Sequence, residues 1–531
     1  MAKQKRKKEK LILVADCETN PFEYGATIAP FVWGLYGDGL YETFDTTAAF
    51  IDFIADIDCI CYAHNGGKFD WHFILDYIED GTPLLIINGR LSRFKIGMCE
   101  FRDSWNILPV ALSKMEKESV DYEIFRPIIR DKPENRKIIL DYLYSDCVNL
   151  YRFVMAFIDR HGLCITQASA AMKLWAKIAP DKVPQDTGYI FDTFSPYYYG
   201  GRCECFESGI IAGDLVMVDI NSAYPFAMLS EHPISCSFSD ATGGDVIGSD
   251  FLTVTGAARG CFPVRKESGG LFFPADNEAR AYKITGWEYI AAREAGFAFE
   301  IKEHWRFDTL TDFKEYILPL YTERKEAKAH GDKARDLLAK LAMNSLYGKF
   351  GSNPENYECF RARDNVADID GERWHFAGYL GDMALESSPL SDSAKRFYNV
   401  ATAASITGFV RAMLWRAIRS SAGVVYCDTD SVVCRAYGDG VAIGGELGEW
   451  SKDYDLDGGG VGGKKLYAFK IAGKSGEKDE HYKKASKGAR LSAKEILSVC
   501  GGLVTTYKPF APTFSVRKPP VYTDRIIKMT K

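Results

Sequence analysis

VVYCDTDSVV, residues 424–433, is two β-rich runs meeting at Asp428-Thr429-Asp430, and it reads as a hairpin with two carboxylates at its tip. Alone, such a tip is an ordinary surface turn. Its neighbours change that reading. About 80 residues upstream, ARDLLAKLAMNSLY lies within a helical pattern from roughly Lys333 to Tyr347. Lys340, Asn344 and Tyr347 fall at i, i+4 and i+7 on one face, with Leu337, Leu338 and Leu341 in the buried stripe. Gly348 is placed to end the helix. An ammonium, an amide and an aromatic ring on one face suit a nucleotide. Arg324 and Lys328, also i and i+4, add cations on a preceding helical segment. Further upstream, VMVDINSAYP (216–225) is an apolar strand ending in Asp219, then a turn with Tyr224-Pro225. Asp219 lies 209 residues before Asp428, so only folding brings them to one site.

The first third carries a second set of carboxylates. LILVAD (11–16) is a short apolar strand, and Asp16 and Glu18 share one strand face. Side by side they repel unless a cation neutralises them or one holds a proton. DCICYAHN (58–65) is a second short run, followed by Asp70 in HNGGKFD. DYLYSDCVNLYRFVMAFIDR (141–160) has helical spacing and carries Tyr142 and Asp146. Four acidic groups from separate segments suit two divalent metals, as two-metal phosphodiester hydrolysis requires.

The chain has 531 residues, 47% of them hydrophobic and 26% charged. That excludes a disordered, collagen-like or disulfide-stapled chain and allows about three to four domains. No apolar run approaches a membrane span, and a charged DCE interrupts what a signal peptide would need as its core. The expectation is a soluble intracellular protein. Its 14 cysteines include Cys59/Cys61 and Cys203/Cys205 but no second half at zinc-ligand spacing, so they read as incidental thiols. The net charge of −6 conceals an asymmetry. From Lys464 onward there are 16 Lys and Arg against 5 Asp and Glu, a net of +11, while the rest carries −17. A basic end of this kind is a candidate footprint for a polyanion. Leu491, Ile496, Leu497 and Val499 imply that part of it folds, and DGGGVGGKK (457–465) before it reads as a hinge or linker.

In order, Asp16-Cys17-Glu18, Asn65 to Phe69-Asp70, and Tyr142 to Asp146 resemble the three exonuclease motifs of B-family DNA polymerases. Asp219 to Tyr224-Pro225, Lys340 to Asn344-Ser345 and Tyr347-Gly348, and Tyr426 to Asp428-Thr429-Asp430-Ser431 resemble the three polymerase motifs of the same family. Lys465-Leu466-Tyr467 resembles the element that grips the primer, and Tyr198-Tyr199-Gly200-Gly201 the template-contacting link between the two parts. The early first motif, the spelling NSLYGKFGSNP (344–354) and LGEW before Lys465 resemble the protein-primed phage polymerases of the phi twenty-nine group.

The resemblance implies a multidomain α/β and α+β fold, an RNase H-like 3'-5' exonuclease followed by a right-hand polymerase. The implied division is 1–190 exonuclease, 191–235 first palm part, 236–311 first insertion (terminal-protein region 1), 312–352 fingers, 353–397 second insertion (terminal-protein region 2), 398–485 second palm part and 486–531 thumb. It implies metal-ligand roles for Asp16, Glu18, Asp70 and Asp146, water orientation by Tyr142, and a frayed strand held by Thr19, His64, Asn65 and Phe69. In the polymerase part, Asp219 and Asp428 would hold two Mg²⁺ ions, Mn²⁺ substituting, with Asp430 in support. Arg324, Lys328 and Lys340 would bind triphosphate, Asn344 and Tyr347 would shape the pocket, and Tyr224 would exclude a 2'-hydroxyl. Tyr198, Gly200, Gly201, Lys465 and Tyr467 would contact DNA. Implied partners are template-primer DNA, dNTPs and a terminal protein primer, with no membrane, for a monomer in the cytoplasm of a bacterial host. Relatives carry a catalytic lysine between the second and third exonuclease motifs; DYEIFRPIIRDK (121–132) presents no clear counterpart, and that role stays unassigned. The rival readings are a B-family enzyme using only nucleic-acid primers, or a DNA-binding nuclease with a decayed polymerase site.

Overall fold

The structure is a computed structural model that describes all residues except 1–9, 111–119, 184, 185, 187, 365–372, 487, 510, 511, 517 and 531. The basic N-terminal run up to Glu9 and part of the expected second insertion therefore lie outside the described residues.

The N-terminal part is built on the strand Leu11–Thr19, whose residues 12–15 are all buried. It pairs in parallel with Cys59–Ala63, which pairs in parallel with Cys99–Asp103, and antiparallel with Pro30–Gly37 on its other side. The helix Pro133–His161 packs on this sheet. It starts earlier than its periodicity predicts because Pro133 at the first helical position suits helix entry, and it ends at Gly162 with φ +70°.

A second sheet of eight strands forms the catalytic floor of the remainder. Leu215–Ile220 sits at its centre, between Ser431–Ala436 and Trp450–Gly463, both antiparallel to it. Ala422–Asp428 completes the hairpin with Ser431–Ala436. The helix Val400–Ser420, almost wholly buried, carries the core between this sheet and a separate four-stranded sheet of residues 238–307. Two helices, Lys314–Ala329 and Lys333–Phe350, stand against each other beside it.

Three expectations are corrected. The glycine run 457–463 is no hinge: it is the end of the 14-residue strand Trp450–Gly463, largely buried. Its glycines permit close packing, since a Cβ on Gly459 would lie 2.3 Å from the Ala468 carbonyl oxygen and one on Gly460 2.8 Å from Cys500 Cβ. Gly348 does not end its helix, which continues to Phe350 because that side chain is fully buried and anchors the last turn. Tyr224-Pro225 lies in a short helix, Ala223–Ala227, rather than in a simple turn.

Residues 358–389 contribute three strands that extend the N-terminal sheet, through Phe360 opposite Leu84. The basic C-terminal region folds as its apolar positions imply: Leu491, Ile496 and Val499 are buried around the helix Ala493–Cys500. Beyond it, the strand Lys518–Val521 lies beside His375–Leu380. Among the described residues no helix is long and apolar enough to cross a membrane.

Candidate functional site

Two carboxylate clusters lie on the two sheets. In the first, strand alternation puts Asp16 and Glu18 on one face, and the helix Pro133–His161 lays Asp146 over them. Ligand atoms of these three residues all lie within 4.8 Å of one another, the one such group among the described residues. Asp70 is not part of that group. Cys17, which alternation turns away from Asp16 and Glu18, donates its thiol to the Asp70 carboxylate at 3.3 Å. Burial pushes Asp70 up to about 7.

Around this cluster, Tyr142 stands one helical turn before Asp146, and its hydroxyl shares a 3.0 Å hydrogen bond with that of Tyr122. Tyr122 is half exposed and was not singled out by its sequence context. Asn65 has φ +65°, and its amide oxygen accepts from Arg90, which also pairs with buried Asp103. His64 bonds the Ser104 hydroxyl at 3.0 Å and the Val110 carbonyl at 2.8 Å. Thr19 is buried at the strand end. Phe69 sits in a ring cluster with Phe22, Phe73 and Phe514.

The second cluster forms where Leu215–Ile220 meets the Asp428-Thr429-Asp430 tip. Thr429 turns the tip at φ +63°, its N–H donating to the Arg202 carbonyl. Ile220 N–H donates to the Asp430 carbonyl, fixing Asp430 beside Asp219. Burial, then the charge of Asp430, push Asp219 up to about 7; burial, then Asp428, push Asp430 up to about 6. The charge of Lys340 works against both shifts. Asp428 is engaged differently. Lys465 donates to both its oxygens, at 2.8 and 2.6 Å. Of the three acids expected at this site, Asp430 is the carboxylate whose charge acts most on Asp219, and Asp428 is paired with Lys465. The same ion pair occupies the lysine expected to grip the primer. Tyr467, its companion, is 7% exposed and packs on the Tyr426 ring at 5.0 Å.

Above the carboxylates, Tyr224 and Tyr347 stack face to face, 4.4 Å between centroids and 11° between planes. Asn344 donates to the Lys340 carbonyl one turn back. Arg324 ties the first helix of the pair to the second, through Asp336 at 3.0 Å, and to the turn after Leu215–Ile220, through the Ser222 hydroxyl at 3.1 Å. Lys328 is exposed. Tyr198 packs on Gly351, where a Cβ would lie 2.5 Å from its ring, and Gly201 abuts Thr429, where a Cβ would lie 2.8 Å from the side chain. The loop Tyr198–Gly201 therefore touches both the helix end and the carboxylate tip. Gly200 and Gly348 are different: each is exposed and a Cβ there meets open space.

Residues 117–375 match the family described as DNA polymerase type B, organellar and viral. The DNA-directed DNA polymerase of Enterobacteria phage PRD1 is 34% identical over 572 aligned residues, spanning 100% of both chains. A probable DNA polymerase of Podospora anserina is 21% identical, covering 72% of this chain and 35% of its own. Among solved structures, an orthorhombic crystal form of phi29 DNA polymerase superposes with a TM-score of 0.75 at 16% identity, covering 98% of this chain and 100% of that chain. Phi29 DNA polymerase complexed with primer-template DNA and incoming nucleotide substrates gives a TM-score of 0.73. With full-length identity above 30% to the phage PRD1 enzyme and two carboxylate clusters set on two sheets, this chain belongs to the type B DNA polymerases of organelles and viruses and is a DNA-directed DNA polymerase.

Proposed function

We propose that this polymerase extends primers at Asp219 and Asp430, edits the 3' end at Asp16, Glu18 and Asp146, and starts synthesis from a terminal protein. The observation that carries the reading is the cluster of raised carboxylates under the stacked Tyr224 and Tyr347: Asp219, raised by burial and then by Asp430, and Asp430, raised by burial and then by Asp428. Half-buried acids raised by desolvation and by neighbouring carboxylates are suited to a divalent cation. Mg²⁺ or Mn²⁺ there supplies Lewis-acid charge for nucleotidyl transfer. The same donor chemistry recurs in the Asp16, Glu18 and Asp146 group.

The protein's own groups then divide the work. Lys340 and Arg324 place positive charge where the triphosphate enters. Asn344 and Tyr347 line the base side, and Tyr224 presents its ring to the sugar. Gly348 is a costly residue inside a helix, by about 1 kcal/mol relative to alanine. Its open surroundings are explained by a base pair passing close to the backbone. The 3'-5' site adds Tyr142 to orient water, and Phe69 with His64, Asn65 and Thr19 to hold a single strand. Asp70, at about 7, is the fourth acid, ready to ionise when a cation arrives.

Replacing Tyr224 by valine should raise ribonucleotide incorporation by about tenfold or more, because the ring that meets the sugar is removed while Tyr347 loses only a stacking partner. Steady-state insertion of dNTP and rNTP at one primer end measures it. An unchanged ratio would remove that role from Tyr224.

Processive synthesis is supported by the closure between the C-terminal region and residues 358–389. Phe514 enters the Phe69, His72 and Phe73 rings, and the Tyr522 hydroxyl is within hydrogen-bonding distance of the Glu23 and Ala26 carbonyls. The chain leaves the palm sheet and returns to the exonuclease part, a path that would enclose a bound strand. Phe514→Ala with Tyr522→Ala should shorten products severalfold on primed single-stranded DNA with excess trap DNA, while single-nucleotide addition persists. Parental product lengths would end the ring-closure reading. Protein priming is tested by label transfer from a dNTP to a candidate terminal protein.

A further inference from the structure

Arg411, on the helix Val400–Ser420, and Glu288, on the helix Gly286–Glu294, are both 3% exposed. Neither belongs to a motif. Glu288 receives Arg411 Nε at 2.8 Å and Nη2 at 3.1 Å, and the same carboxylate accepts from Thr285 N–H and its hydroxyl, capping its own helix. All of its acceptor capacity is therefore directed to these two elements. The remaining arm of the guanidinium points the other way. Nη1 donates to the carbonyl of Tyr199 at 2.6 Å and to that of Gly200 at 3.1 Å, and the group lies 5.5 Å from the Tyr199 ring centre. Arg265 adds a donor to the Tyr198 carbonyl at 2.8 Å. Three successive carbonyls of the loop are thus held by arginines from behind. In front, the loop abuts Thr429 between the two hairpin carboxylates.

A buried ion pair is a poor device for stability alone. Apolar replacements of similar volume are often neutral or better. What apolar side chains cannot do is aim two donors at two carbonyls. We propose that Arg411 is a positioning residue: it sets the Tyr198–Gly201 loop in the shape that receives the template, with Glu288 of the first insertion fixing its fork. The insertion of residues 238–307 is thereby mechanically linked to template binding. The inference rests on the reading of the Tyr198–Gly201 loop as a template contact.

The test compares Arg411→Lys, Glu288→Gln and the double variant Arg411→Met/Glu288→Leu. Primer-template Kd is read by fluorescence anisotropy well below each variant's melting temperature. Arg411→Lys keeps the charge and loses the fork, so Kd should rise about tenfold. The double variant removes both charges, and its Kd, read well below its own melting temperature, should stay as far above the parent's as that of Arg411→Lys. Degradation of single-stranded oligonucleotide should stay at the parental rate in all three, since that site lies on the other sheet. If Kd is parental in the double variant, or simply follows melting temperature across the three, Arg411 is structural and the inference falls. Gly200→Val separates the underlying reading. A Cβ there meets no protein atom within 4 Å, so the expected effect is on a ligand. Weaker template binding in Gly200→Val with parental binding in the Arg411 variants overturns the positioning role alone. Parental binding in Gly200→Val overturns the template reading of the loop, and the inference with it.

Discussion

Asp430→Asn should all but abolish primer extension, and should do so more completely than Asp428→Asn. Asp430 is the carboxylate fixed beside Asp219 by the Ile220 N–H, and it is the largest charge acting on Asp219. Removing it removes one half of the cation site. Lewis-acid stabilisation of a transferring phosphoryl group is worth several kcal/mol. At about 1.4 kcal/mol per tenfold, that corresponds to a drop of at least about 10³-fold. Asp428 already has its charge balanced by Lys465, so its amide variant frees that lysine and is expected to fall less. Single-turnover insertion with saturating Mg²⁺ measures both. Rates in the reverse order would return the principal cation role to Asp428. Folding of Asp430→Asn is secure on physical grounds, because the variant relieves repulsion among buried acids.

The second large effect is at the other cluster. Asp16→Ala with Glu18→Ala should reduce 3'-5' degradation by about 10³-fold or more, leaving primer extension within about twofold of the parent. The two residues supply two of the three ligand groups within 4.8 Å of one another, and Asp146 alone cannot hold a cation. The polymerase carboxylates lie on a different sheet. Release of labelled nucleotide from a single strand and extension of a matched primer are measured on the same preparation. Loss of both activities would mean one shared site and would overturn the assignment of two.

The carboxylate-bearing segments were legible in the sequence because their chemistry is locally spaced. Asp16 and Glu18 at i and i+2 on an apolar strand, Tyr142 and Asp146 at i and i+4 in a helix, and the paired acids of the Asp428–Asp430 tip need only secondary structure to be recognised. The same periodicities placed the helix carrying Lys340, Asn344 and Tyr347. Their order along the chain is sufficient to indicate two parts, an exonuclease and a polymerase. Periodicity failed at the glycines. Gly459 and Gly460 look like a linker in composition, yet they are glycines because the backbone of the next strand and Cys500 leave no room for a Cβ.

Contacts between residues far apart in the chain were decided by the tertiary structure alone. Lys465 selects Asp428 because the positive φ of Thr429 turns the two acids of the tip in different directions, and the strand pair after it delivers the lysine to one of them. Arg411 and Glu288 carry no local signature; each is one charged residue in a helix until packing buries them together and points the spare guanidinium arm at the Tyr199 and Gly200 carbonyls. Residues 358–389 join the exonuclease sheet through strand Pro83–Ile87, a pairing set by an open sheet edge rather than by sequence pattern. Sequence by itself singled out the candidate residues for the chemistry, since side-chain type and short-range spacing are properties of the chain. Which of those residues face one another was left to the fold, since burial and long-range pairing decide where a charge is neutralised and where it stays available.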